Sequence, residues 1–149
     1  MEIKKVNNPV VKKSVKDFEI TDSMFQKFLD IMKRFTINGD LENKRNEYGN
    51  ISKYCWMTSY QIAIIYNKEY ENVEEVYGLK IGGEGTDDNT SFAQKIAVKF
   101  ATKHIPNSPS SCHFEYSQMS EEVLSKMQFS DGVTSTVCGK NINLYRYKD

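Results

Sequence analysis

The side chain with the most chemistry to offer is the thiol of Cys55. It stands between a polar stretch, residues 40–53 (DLENKRNEYGNISK), and the least polar run of the chain, residues 55–67 (CWMTSYQIAIIYN). A thiol is a good nucleophile only as thiolate, and a helix N-terminus favours the anion through its unpaired N–H groups and macrodipole. The length of the apolar run favours a helix over a strand, with Ser52 as its candidate cap. That reading puts Cys55 in the first turn of a buried helix, where backbone N–H groups could also hold an oxyanion. The competing reading treats cysteine as a small hydrophobe, one of the most buried residue types.

A thiol needs a base. His113, at the start of HFEY, is a candidate general base and acid, since imidazole titrates near neutrality. It reads equally as a surface histidine at a strand end. His104, between Lys103 and Ile105 and ahead of Pro106, reads as an exposed cation at a helix end.

Tyr54-Cys55-Trp56-Met57-Thr58-Ser59, followed by an apolar helix, resembles the nucleophile segment of papain-like cysteine peptidases. It is most similar to their bacterial effector and bacteriocin-processing branches. The resemblance covers residues 45–138, with its specificity in the Cys-Trp stretch. It implies an α+β fold in which helices pack on a small, mostly antiparallel sheet. It also implies that the thiol works with a histidine from a later strand, oriented by Asp or Asn. In the family an upstream Gln completes the oxyanion hole. Carried onto this chain, Cys55 is the nucleophile, His113 the base, and Asn50 the one amide placed to replace the missing Gln. Asp131, Asn141 and Asn143 are candidate orienters, and each also reads as an ordinary turn or strand residue. The chain departs from the family pattern in having no upstream Gln and in histidines that lie closer to the cysteine than usual. The segment expected to carry the histidine, residues 132–147, has none. Either His113 serves in a shortened fold, or the chain is a fragment or a relative without a working triad.

These residues need elements to position them. Residues 1–20 alternate charged and β-branched types around Pro9 and read as an N-terminal arm, with residues 21–149 as a single α+β domain. Thr21 and Asp22 are good N-caps, and Met24, Phe25, Phe28, Leu29, Met32 and Phe35 follow at helical spacing. Residues 70–76 suggest a short helix. Gly82-Gly83-Glu84-Gly85-Thr86-Asp87 reads as a flexible turn. It lacks the large apolar residue of a calcium-binding nonapeptide and completes neither phosphate-binding fingerprint. Thr90 or Ser91 caps a helix buried through Phe92, Ile96, Ala97 and Phe100. Residues 112–116 read as a strand, and Ser120 as the cap of a short helix carrying Val123, Leu124 and Met127. Residues 132–147 read as two strands joined by a turn at Gly139-Lys140-Asn141. Helices lead and strands follow, the order of an α+β fold.

The 149 residues suit one domain. Twenty basic and twenty acidic residues cancel, so no nucleic-acid partner is expected. Mean hydropathy is −0.60, and no apolar run is long enough for a membrane span. No secretory signal is read. Cys55, Cys112 and Cys138 make neither a disulfide framework nor a zinc ribbon, and free thiols suit a reducing, cytoplasmic setting, with delivery into a host cell left open. Neither a cofactor nor a metal is expected, the zinc set Cys112, His113, Cys138 and His104 having no zinc-like spacing. Two functions follow. The first is a papain-like cysteine peptidase or related thiol acyl-transfer enzyme acting on peptide or isopeptide bonds, possessing a protein or peptide substrate. The alternative is a catalytically inactive small binding protein, of the phage or effector type that inhibits a host protein, or a piece of a larger papain-like protein.

Overall fold

The computed structural model describes residues 18–37, 53–86, 91–104, 113–137 and 142–149. Four helices come first among these: α1 (Asp22–Arg34), α2 (Ser59–Glu69), α3 (Val73–Tyr77) and α4 (Phe92–Lys103). Strands β1 (Phe114–Met119), β2 (Lys126–Gln128), β3 (Ser135–Val137) and β4 (Ile142–Tyr147) follow. The fold is α+β, as the order of sequence patterns implies.

Each long helix starts where a side chain can accept an orphan N–H. Thr21 accepts from the Met24 N–H at 3.1 Å, and Ser91 from that of Gln94 at 3.1 Å. Asp22 lies in the first turn of α1 and Lys33 and Arg34 in its last, which complements the helix dipole. Phe35 is the exception to the apolar pattern. It sits at the C-cap with extended backbone and is 39% exposed.

Apolar faces of α1, α2 and α4 meet in a core rich in rings. Phe28 packs edge-on against Tyr66 (5.3 Å between centroids) and Phe92 (6.0 Å), and Phe100 stacks on Tyr145 of β4 at 4.4 Å. Phe18 and Ile20, from the segment assigned to the arm, are also buried there. The rest of the arm lies outside the described residues. Among the described residues no helix is long and apolar enough to cross a membrane.

β1 and β4 pair antiparallel, with Phe114 opposite Tyr147, Glu115 opposite Arg146 and Tyr116 opposite Tyr145. Two bridges extend this ladder beyond β4: Met57 pairs with Tyr145, and Tyr54 with Thr36. β2 and β3 form a second small sheet. The two tail strands therefore exist as expected, but each pairs with another strand rather than with the other. The turn at 139–141 lies outside the described residues.

The short helix expected after Ser120 is not formed. Ser120 Oγ accepts from the Glu122 N–H, and Val123 adopts φ 58°. A left-handed β-branched residue ends any helix there, and Lys126–Gln128 continue as β2. The glycine loop is also held more firmly than its composition suggests. The Glu84 N–H donates to the Ser135 carbonyl at 2.7 Å, Ser135 Oγ donates to the Glu84 carboxylate at 2.9 Å, and Lys126 pairs with the same carboxylate at 2.8 Å.

Candidate functional site

Cys55 is not at a helix head. Its N–H donates to the Phe35 carbonyl at 2.9 Å, and its neighbours Tyr54 and Met57 bridge to other strands. The helix starts at Ser59, beyond a capping box in which Thr58 Oγ1 accepts from the Gln61 N–H at 3.2 Å and Gln61 Oε1 accepts from the Thr58 N–H at 2.8 Å. The letters Thr58-Ser59-Tyr60-Gln61 are a capping-box signature, so the true start was readable. Apolar composition ran past it into a segment that tertiary pairing holds extended. The sulfur accordingly stands outside the first turn, and the helix satisfies its own end. Cys55 is a free cysteine of intermediate exposure.

His113 lies exposed just before β1. Its ring stacks on Tyr147 with centroids 6.3 Å apart and planes at 13°, and its carbonyl accepts from the Lys148 N–H at 2.9 Å. Continuing the register from the Met57–Tyr145 pair sets Cys55 level with Tyr147. Both residues thus come to one end of the sheet, with β4 between their strands. Two ladder steps separate those backbones by about 10 Å, whereas a nucleophile and its base need roughly 3 Å. Among the described residues no hydrogen bond joins them.

The other sequence candidates do not complete a triad. Asn50, Asn141, Cys112 and Cys138 lie outside the described residues. Asp131 accepts from the N–H groups of Val133 and Thr134 and from the Thr134 hydroxyl, tying a turn before β3. Burial raises its carboxyl, but these hydrogen bonds outweigh that and hold it below the ordinary range. Asn143 accepts from the Tyr116 hydroxyl and the Gln118 amide. His104 is the exposed C-cap of α4, as expected of a helix-end residue. Among the described residues no three metal-ligating side chains converge.

Beside Cys55 the structure assembles two clusters that local sequence did not disclose. The Tyr54 hydroxyl donates to Asp149 at 2.8 Å, and the Tyr54 ring meets Tyr147 edge-on at 4.9 Å. That hydrogen bond, with Lys53 and Lys33 adding their charge, holds the Asp149 carboxyl below the usual range. The second cluster centres on Trp56, 36% exposed. The Arg146 guanidinium lies 4.2 Å from the centre of its ring, and Arg146 Nε pairs with Glu115 across the β1–β4 ladder. In the sequence Trp56 stands out as part of a cysteine motif. Its partners are far away along the chain and carry no local signal. An open groove of about 450 Å³ between Phe18–Ile20 and α4 shares no residue with either cluster.

Fold and site together define an α+β domain that displays a tryptophan–guanidinium platform next to a free thiol. No family model, no curated protein and no solved structure matches the chain.

Proposed function

We propose that this chain is a small protein-binding domain without chemistry of its own, of the kind that inhibits or redirects a partner protein. It docks through the surface around Trp56. The observation that carries this reading is the exposed Trp56 ring capped by Arg146, which Glu115 holds in place. Tryptophan and arginine are the residue types that most often dominate binding energy at protein interfaces. Arg146 stands on a paired strand and Trp56 between two residues, Cys55 and Met57, whose N–H groups are bonded to neighbouring backbone, so little ordering remains to oppose binding.

A second reading, thiol acyl transfer in a papain-like fold with Cys55 as nucleophile, His113 as base and Asn50 at the oxyanion hole, draws support from one observation. Cys55 and His113 gather at the same end of the sheet, around Tyr147. Adjacent substitutions separate the readings. A photo-crosslinking residue placed at Ser117, two residues from Glu115 on the same face of β1, with Val76 on α3 as control site, is used to capture the partner from cells of the source. We expect capture from Ser117 only, unchanged in Cys55→Ala and reduced at least tenfold in Trp56→Ala, a loss of about 1.4 kcal/mol or more. Loss in Cys55→Ala with capture intact in Trp56→Ala would reject the binding reading in favour of the thiol.

A further inference from the structure

We infer that the Trp56 platform recognises a carboxylate: an Asp or Glu side chain of a protein partner, standing beside an apolar residue. This rests on the binding reading above and names the chemistry of the partner.

Arg146 is held from two directions. Its guanidinium lies against the Trp56 ring, a cation–π contact, and its Nε is taken by Glu115 on the neighbouring strand. A guanidinium carries five N–H donors in a planar fork, and Glu115 occupies only the Nε edge. Among the described residues the terminal nitrogens have no hydrogen-bond or ion-pair partner. Donors already fixed in a plane and left unfilled match the two oxygens of a carboxylate, which an Arg fork binds through paired, charge-assisted hydrogen bonds. The side chain is mostly withdrawn from water, 24% exposed, so such a bond is less screened than one at an open surface.

Charge selects among anions. Glu115 already offsets the single positive charge of Arg146, so the site has no net charge to repay the larger cost of desolvating a dianion. A carboxylate therefore fits better than a phosphate. The uncovered part of the indole offers apolar contact next to the fork, which calls for an apolar residue flanking the acid.

Selection of random peptides displayed on phage against the full chain tests this. Peptides that require Trp56, judged by loss of binding to Trp56→Ala, are expected to carry Asp or Glu next to an apolar residue. Arg146→Lys keeps the charge but loses the fork, and it is expected to weaken those peptides at least tenfold. Glu115→Gln keeps an acceptor for Nε while removing the competing charge, and it is expected to tighten them several-fold. A purely structural role for the Arg–Glu pair would weaken binding in both variants. Trp56-dependent peptides without an acid, indifference to Arg146→Lys, or no gain in Glu115→Gln would each overturn the carboxylate and leave the binding reading standing. A selection that returns no Trp56-dependent peptide would overturn the binding reading itself.

Discussion

Gly83 shows how one residue can tie two parts of this chain together. It adopts φ +94°, and a Cβ there would sit 2.2 Å from the Ser135 carbonyl oxygen. The neighbouring Gly85, at φ +76°, faces open space. Both substitutions to Ala incur the strain of a left-handed backbone, but only Gly83→Ala must also push the loop off β3. We expect Gly85→Ala to cost about 1 kcal/mol and Gly83→Ala upwards of about 3 kcal/mol. Urea titration reads this as a lower midpoint at unchanged slope. Equal midpoints for the two variants would mean that the loop does not need its close seat on β3. Composition exposed the glycines, yet it could not distinguish the one pressed against a backbone from the one in solvent.

At the scale of elements, the segment from Tyr54 to Gln61 divides at Thr58. Before it the chain is extended and borrows its hydrogen bonds from Phe35 and Tyr145; after it the helix supplies its own. Thr58→Ala removes one half of the capping box and is expected to cost about 0.5–2 kcal/mol in thermal or urea unfolding. Gln61→Ala removes the reciprocal half, and because the two bonds share one geometry their costs should not add in the double variant. Additive costs would show that the box does not act as a unit. This division is also why the expected helix began too early. Hydrophobic content alone cannot tell a buried strand from a buried helix, and the strand partners of Met57 and Tyr54 lie elsewhere in the chain.

For the whole molecule, two tyrosines make stability depend on alkaline pH. Burial, with the Glu71 carboxylate close by, pushes Tyr66 up to about 12, and burial pushes Tyr145 likewise up to about 12. Well below pH 10 both are neutral whether the chain is folded or not, and their contribution is complete. Between about 10 and about 12 the unfolded chain has given up these protons while the native state keeps them. Stability must therefore fall as pH rises through that window. Unfolding midpoints measured from pH 9 to 12 should show the decline, and Tyr66→Phe, which has no proton to lose, should make it shallower. A decline of the same steepness in Tyr66→Phe would assign it to other groups.

The features legible from the residues alone are local or compositional. The helix at 22–34 follows from the Thr21 cap and the spacing of Met24, Phe25, Phe28, Leu29 and Met32. The helix at 92–103 follows from Ser91, Phe92, Ile96 and Phe100, and the α+β class from the order of the patterns. These depend on neighbours within a few residues, where periodicity and capping act. Tertiary structure alone decided that residues 54–57 are extended, that the two tail strands serve different sheets, and that Trp56, Arg146 and Glu115 meet. Strand pairing joins backbone groups regardless of their separation along the chain, so no short stretch of residues contains the information that brings them together.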